Sequence, residues 1–270
     1  MTLAAAFLVP GSPLPYLRKD NPPWLGLAAG YEKAARALAA ARPDVVLLYS
    51  TQWMAVLDQL WQERPRLQGL HVDENWYEFG ELPFDLSIDT ELAQACIENA
   101  NALGLHSKGV DYDAFPIDTG TIVASKSLDP EGTRRFVLAA NNLYHDFETT
   151  RRIATIAGEA ASTQGKRFAA VGVGGLSGTI FREEIDIADD RIASDEDDRW
   201  NRRMLSLLEK GETQEVDRQC AEYVQAAKVD MGFKHLAWIQ GATGGRYYGA
   251  RIHAYGPTYG AGAAVVEFKV

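Results

Sequence analysis

Four nearly unbroken apolar runs constrain the fold of this chain more than any other feature. They cover residues 4–9, 44–49, 135–140 and 167–173, and they consist mainly of Ala, Val, Leu and Phe without polar alternation. Continuous apolar runs of this length are typical of strands that are buried on both faces of a sheet. The sequence therefore predicts a single α/β domain spanning residues 1–270, with a central mixed β-sheet flanked by helices.

The segments between these runs carry helical spacing and capping signals. Asp89 or Thr90 is expected to cap a helix that ends at Gly104, and Gly211 separates two later helices. The predicted helices cover residues 24–42, 52–63, 90–103, 150–162, 196–209 and 212–228, and a further strand is predicted over 83–88. Near the end of the chain, segments 247–255 and 263–268 flank a turn with the sequence GPTYG, which predicts a C-terminal β-hairpin.

Composition excludes several classes of protein. The net charge of −10 and the lack of a basic patch argue against nucleic-acid binding. The two cysteines, Cys96 and Cys220, lie in predicted helices and are expected to be reduced thiols. The apolar start has no basic region and meets Pro10 early, and no long apolar run follows. We therefore expect no membrane association and a cytoplasmic protein.

Common catalytic signatures are missing from the sequence. The glycine-rich loop 172–178 lacks the spacing of a dinucleotide or P-loop motif, so a tight turn with close backbone packing is the better interpretation. The acidic stretch 183–198 lacks EF-hand spacing and is expected to be a solvated loop. None of the five histidines forms an HExxH-type pair, and His235 alone has a suggestive neighbour in Lys234.

Three positions look like metal-ligand positions that carry the wrong residues. Gly11 follows the first predicted strand, Gln52 follows the second, and Lys234 begins the late segment KHLAW. Glycine has no side chain, glutamine is a weak ligand, and lysine carries the charge of a metal rather than of a ligand. The pattern suggests a metalloenzyme fold without its metal.

The frames around these positions resemble the class III extradiol ring-cleaving dioxygenases, the superfamily of protocatechuate 4,5-dioxygenase. The resemblance runs over nearly the whole chain, including the closing segment HAYGPTYGAGAAVVEF. In that family two histidines and a glutamate hold Fe(II) as a facial triad. The matching positions here are Gly11, Gln52 and Lys234, so the resemblance implies no metal and no cofactor in this chain.

Two further family positions are replaced in the same way. A second-sphere histidine of an Asp-His-Gly motif corresponds to Thr119, and an acid–base histidine of a Gly-Gly-Leu-Ser-His loop corresponds to Gly178. The resemblance therefore implies that metal binding and proton transfer are both lost, with no catalytic residue left at these positions.

The family includes complexes that open 2-aminophenol to 2-aminomuconic semialdehyde and are built from two related subunits, the smaller of which lacks the iron site. The resemblance implies that this chain is such a non-catalytic α subunit, paired with an iron-bearing β subunit in an α2β2 assembly. It would stabilise or shape the subunit that holds Fe(II). Such a chain is not catalytic alone but belongs to an oxidoreductase complex.

Two alternatives remain open at the level of sequence. The chain could be a metal-free small-molecule binding or sensor protein on the same fold. It could also be an enzyme that has rebuilt chemistry with Asp118, Thr119, His235 or tyrosines.

Lys234 itself has two interpretations. A site shaped for a dication can accept an ammonium, so Lys234 is hypothesised to replace iron structurally as an internal cation. Alternatively, Lys234 is a surface lysine on a helix.

Overall fold

The computed structural model describes residues 3–113, 115 and 117–270. Its strands, β1 to β10 in chain order, are Leu3–Val9, Val45–Ala55, Gln59–Gln62, Arg66–His71, Leu82–Ile88, Ser107–Val110, Arg135–Asn142, Phe168–Val173, Ala250–Thr258 and Ala261–Phe268. Its α-helices, α1 to α8, are Leu14–Leu17, Leu25–Ala41, Thr90–Ala102, Thr119–Leu128, Phe147–Thr163, Asp195–Lys210, Thr213–Ala226 and Lys234–Thr243. Short 3-10 turns lie at Pro22–Trp24, Tyr77–Phe79, Ile187–Asp189 and Asp230–Phe233.

The sheet is mixed, as the sequence predicts. Its main path runs β4-β5-β7-β2-β8-β1-β10-β9, and β3 and β6 are attached beside β7. The five strands from β5 to β1 along this path are parallel, whereas β4, β10 and β9 each pair antiparallel with a neighbour. All four predicted apolar runs lie in the parallel centre. The carboxyl ends of β1, β2, β7 and β8 consequently meet along one edge of the sheet.

Helices cover both faces of the sheet, which explains why the central strands lack polar alternation. In β1, Ala6 and Leu8 point to a core shared with α3, α5 and α8, while Phe7 and Val9 point to a core shared with α2 and α4. Successive residues of a strand face opposite sides, so a strand that is covered twice must be apolar throughout. The predicted α/β architecture is confirmed.

Most predicted boundaries hold because local signals fix them. Asp89 is the N-cap of α3, where its side chain accepts from the backbone N–H of Leu92 at 3.2 Å. Gly211 adopts a left-handed conformation and ends α6. The closing hairpin is also present, with its turn at Tyr259 and Gly260. Both cysteines are free thiols, with Cys96 buried in α3 and Cys220 half-buried in α7.

The helix predicted over residues 52–63 is wrong. β2 continues to Ala55, and β3 then pairs with β6 and with β7. Along this part of β2, Trp53 and Ala55 are buried while Gln52 and Met54 are exposed, which is the period of a strand. Pairing with distant strands outweighs the helical preference of the segment.

The solvated acidic loop predicted over 183–198 is also wrong in part. Asp190 is buried and accepts hydrogen bonds from the indole of Trp24 at 2.7 Å and from the backbone N–H groups of Tyr259 and Gly260. From Asp195 onward the carboxylates belong to the first turn of α6, a position that the helix dipole favours. Asp190 therefore joins the acidic segment to the hairpin turn and to the loop after β1.

Among the described residues, no helix combines the length and the apolar character required to cross a membrane.

Candidate functional site

The positions after β1 and in β2 that carry the unexpected residues Gly11 and Gln52 are neighbours in space. A Cβ atom built on Gly11 would lie 2.9 Å from Nε2 of Gln52 and 3.3 Å from Cα of Gly120 in α4. The Gln52 amide therefore fills the space beside Gly11, and a larger side chain at either position would have to displace something. The Tyr31 hydroxyl, which donates to the Pro10 carbonyl, holds the end of β1 in this arrangement.

A short hydrogen-bond network fixes α4 against β2 at the same place. Ser50 Oγ donates to Asp118 Oδ1 at 2.6 Å, and Asp118 caps α4 by accepting from the backbone N–H and the hydroxyl of Thr121. A Cβ on Gly120 would lie 3.0 Å from both Gln52 Oε1 and Ser50 Oγ. Asp118 is thus engaged in the helix cap, which argues against a catalytic role for it.

Lys234 is buried, so its interpretation as a surface lysine is wrong. Only 8% of the residue is exposed. Its Nζ donates to Oδ1 of Asn141 at 3.1 Å and to the carbonyl oxygen of Asn142 at 2.8 Å, both at the carboxyl end of β7. Burial lowers the pKa of Lys234, and the negative charge of Asp146 partly opposes this shift.

Asn141 connects Lys234 to β2. Its Oδ1 also accepts from the Tyr49 hydroxyl at 2.8 Å, and its Nδ2 donates to the carbonyl oxygen of Thr51 at 3.0 Å. Within the described part of the chain, no hydrogen bond joins Lys234 directly to Gln52 or Gly11. The three positions therefore form a Gly11–Gln52 contact and a separate Lys234 contact, which are linked through the end of β2.

The backbone before α8 is strained. Lys228, Met231 and Phe233 all have positive φ angles, of 50°, 42° and 63°, although none of them is glycine. Each left-handed residue of this kind costs roughly 1–2 kcal/mol. Phe233 is fully buried, with its ring 5.4 Å from that of Tyr223 and 5.1 Å from that of His235. This packing offsets the strain and fixes the direction in which α8 begins at Lys234.

Asp230, in the same segment, ties three parts of the site together, although it was not predicted from the sequence. Its Oδ2 accepts from the Thr51 hydroxyl at 2.6 Å and from the backbone N–H of Gly175 at 3.0 Å. Asn141 was missed as well, although the polar pair Asn141-Asn142 directly after an apolar strand is a signal that could have been used.

The glycine-rich loop is closely packed, as the sequence predicts, and its neighbour in this packing is His235. A Cβ on Gly172 would lie 2.3 Å from the carbonyl oxygen of His235, and one on Gly174 would lie 2.6 Å from its Nδ1. The ring is fully buried, and burial lowers its pKa to about 4. His235 is thus a neutral core residue at physiological pH, which argues against its use in rebuilt chemistry.

Thr119 and Gly178, the two positions that the resemblance matches to family histidines, have different surroundings. Thr119 is buried at the start of α4, where its hydroxyl contacts Asp73 and His71, each at 2.8 Å. Gly178 is exposed, and a Cβ there would lie 2.4 Å from the carbonyl oxygen of Lys228. The present backbone leaves no room for a side chain at Gly178.

The residues at the three ligand positions do not fit Fe(II). Gly11 offers no donor atom, and the ammonium of Lys234 donates hydrogen bonds where a ligand would need a lone pair. Gln52 alone, through one amide oxygen, would be a weak ligand for such an ion.

Comparison with known proteins supports the family resemblance that was drawn from the residues flanking these positions. Residues 7–266 match the family described as the catalytic LigB subunit of aromatic ring-opening dioxygenase. The chain belongs to this family of aromatic ring-opening dioxygenases, which confirms the resemblance drawn from the sequence.

Two relatives from Pseudomonas sp. differ in their similarity to the chain. It is 50% identical to a 2-aminophenol 1,6-dioxygenase alpha subunit, over 100% of both chains. It is 27% identical to a 2-aminophenol 1,6-dioxygenase beta subunit, over 93% of this chain and 89% of that one. An uncharacterised protein of Escherichia coli K12 shares the fold, with a TM-score of 0.67 and 13% identity over 98% of this chain and 99% of that structure.

Proposed function

We propose that this chain is the non-catalytic α subunit of a complex of the 2-aminophenol 1,6-dioxygenase type, and that residues 1–270 form one extradiol dioxygenase-like domain with a degenerate metal site. Its partner would be a homologous, iron-bearing β subunit in an α2β2 assembly that opens 2-aminophenol to 2-aminomuconic semialdehyde. The full-length 50% identity to an alpha subunit, against 27% to a beta subunit, supports this assignment.

One structural observation carries the proposal. Lys234 is buried, and its ammonium donates to Asn141 and Asn142 at the position where the family places its third ligand. A buried cation at that position repels a dication, while Gly11 and Gln52 close the space where other ligands would stand. The loss of the metal is therefore built into the packing of the chain rather than confined to one missing ligand.

The fixed cation also suggests what the subunit contributes. The ammonium links the end of β7, through Asn141, to the end of β2, and Asp230 links β2 to the glycine-rich loop after β8. These contacts hold the carboxyl edge of the sheet together without a metal. A subunit with a rigid edge of this kind would act by stabilising or shaping its iron-bearing partner.

The test is to express the chain alone and together with a subunit of the beta type, and to measure iron content, assembly size and 2-aminophenol cleavage in each preparation. We expect no stoichiometric iron and no turnover from the chain alone, and iron with turnover from the complex. Iron held at the Gly11, Gln52 and Lys234 positions of the isolated chain would overturn the proposal. Turnover by the isolated chain would overturn it as well and would favour a rebuilt enzyme.

The metal-free binding or sensor protein is the second candidate and predicts ligand-dependent stabilisation of the isolated chain. One cavity of about 560 Å³ lies between β5 and the end of α4, with Arg66, Asp85, Lys126 and Arg134 among its lining residues. None of the five replaced positions lines this cavity. It therefore does not connect ligand binding to the degenerate site.

A further inference from the structure

The end of β4 and the loop after it bring together three potential ligands to which the family resemblance assigns no role. One ligand atom each from His71, Asp73 and Glu74 lies within 4.8 Å of the others. The cluster is next to Thr119 at the start of α4, whose hydroxyl contacts His71 and Asp73. The three potential ligands do not include Gly11, Gln52 or Lys234, although Thr119 is itself one of the five replaced positions.

Thr119 organises two of the three side chains. Its hydroxyl donates to Asp73 Oδ2 at 2.8 Å, and Nε2 of His71 lies 2.8 Å from the hydroxyl oxygen, Oγ1, of Thr119. Because the only hydroxyl proton goes to Asp73, Nε2 of His71 must carry a proton to complete this contact. In the neutral ring, Nδ1 then keeps its lone pair. Metal-bound histidines are held in the same way, with the second ring nitrogen donating to a neighbouring polar group.

The charge of this cluster points to a cation. Asp73 is 7% exposed, and its carboxylate accepts from the Thr119 hydroxyl and from the backbone N–H groups of Asn75 and Trp76. These partners are neutral, and across the described residues no Lys or Arg forms an ion pair with Asp73. A second carboxylate, that of Glu74, lies close by. Asp73 is buried and Glu74 is exposed beside it, so a bound dication would supply a counter-charge that both carboxylates could share.

We propose that His71, Asp73 and Glu74 bind a divalent cation of the zinc type, with Thr119 as the positioning residue. One imidazole and two carboxylates suit zinc, whereas magnesium and calcium prefer oxygen ligands alone. Zinc–ligand bonds of about 2.0–2.1 Å require the three atoms to approach to about 3.3 Å from one another. The exposed side chain of Glu74 is free to make most of that movement.

The consequence of such a site would be local. The cation would order the 71–76 loop against α4, beside the edge of the sheet that carries the replaced positions. A three-ligand site also leaves one coordination position for water or another small ligand. This proposal does not depend on the subunit role, because an isolated chain of any function would bind the cation.

The experiment uses the full-length chain after dialysis against a chelator. ZnCl₂ is titrated by calorimetry and in thermal denaturation, with MgCl₂ as the comparison. We expect one zinc per chain, a rise in Tm with zinc and no matching response to magnesium. Saturable 1:1 binding should be lost, or weakened at least tenfold, in His71→Gln, and weakened about tenfold in Glu74→Gln.

Matched controls separate this site from adventitious binding. Glu78→Gln alters an exposed carboxylate in the same loop, and Gln52→Ala alters a position of the family site, so both should leave zinc affinity unchanged. Thr119→Val should lower the affinity roughly 10- to 100-fold, and Thr119→Ser should restore it, because the hydroxyl is what holds the ligands. Circular dichroism checks that each variant folds.

Three results would overturn the proposal, and the first two are the most direct. One is the absence of saturable zinc binding by the wild-type chain, and the other is binding that His71→Gln leaves unchanged. Neither result bears on the subunit role, which is judged by iron content and turnover of the complex. Loss of zinc binding in Gln52→Ala with retention in His71→Gln would likewise reject the proposed ligands.

Discussion

The ammonium of Lys234 lies 3.1 Å from Oδ1 of Asn141, inside the core at the carboxyl end of β7. Asn141 also contacts β2, because its Nδ2 donates a hydrogen bond to the carbonyl oxygen of Thr51. A cation is therefore fixed at the position that the resemblance matches to the anionic ligand of the family's metal site. Burial lowers the pKa of Lys234, because removing the ammonium from water disfavours its charged form.

Replacing Lys234 with methionine should lower stability modestly. The Asn141 side chain and the Asn142 carbonyl both lose a donor, but each keeps another, from the Tyr49 hydroxyl and the His145 backbone N–H respectively. We expect a loss of about 1 kcal/mol in the free energy of unfolding, measured by urea denaturation, together with weaker assembly with the β-type partner.

Lys19→Met, at an exposed lysine, is the control. Identical melting and assembly of wild type and Lys234→Met would show that the ammonium has no structural role.

Gly11 and Gln52 should be energetically coupled. A Cβ on Gly11 comes within 2.9 Å of the Gln52 amide, so Gly11→Ala should destabilise the chain while Gly11→Ala combined with Gln52→Ala should recover part of the loss. We expect a coupling energy of roughly 0.5–1 kcal/mol from a double-mutant cycle in denaturant. Strictly additive effects of the two substitutions would contradict the contact.

Gly178→Ala should lower the stability of the protein, because the added Cβ would collide with a backbone carbonyl that cannot move aside as a flexible side chain could. The added Cβ would lie 2.4 Å from the carbonyl oxygen of Lys228, in a segment that is already strained. We expect a loss of about 2 kcal/mol, measured as a change in the denaturation midpoint. Gly26→Ala is a matched control, because a Cβ there meets nothing within 4 Å and the residue lies in α2. That control should be neutral or should gain up to about 1 kcal/mol. An equal response at both glycines would rule out the steric explanation.

The free energy of unfolding should fall as the pH is lowered, because the buried His235 resists protonation in the folded state. Burial lowers the pKa of His235 from 6.5 to about 4, so between these values the unfolded chain binds a proton that the folded chain does not. The free energy of unfolding therefore rises with pH across this window, by on the order of 3 kcal/mol from this residue. Urea denaturation from pH 4 to pH 7 measures the slope.

The substitution that tests this assignment is His235→Gln, which should flatten the slope in the same window. His106→Gln removes a histidine from the exposed surface and serves as the control. A slope that survives in His235→Gln would assign the acid sensitivity to other groups.

The sequence alone determined the architecture and the family. Apolar runs such as 4–9 and 167–173 predict strands that are covered on both faces, and in the structure they form central parallel strands of the sheet. Caps such as Asp89 and the left-handed Gly211 fixed helix ends through interactions within a few residues. The matching of Gly11, Gln52 and Lys234 to ligand positions of the family likewise rests on the residues that flank them in the sequence.

Only the tertiary structure decided which contacts the side chains at these positions make. The sequence left open whether Lys234 is buried, since its partner Asn141 lies 93 residues away, and it gave no sign that His71 meets Thr119 across 48 residues. The segment 52–63 became strands for the same reason, because β3 finds its partners in β6 and β7. Local signals fix elements because they act within one turn or one strand. The contacts of a side chain at the sheet edge depend on how all the elements pack together, and no short stretch of sequence encodes that packing.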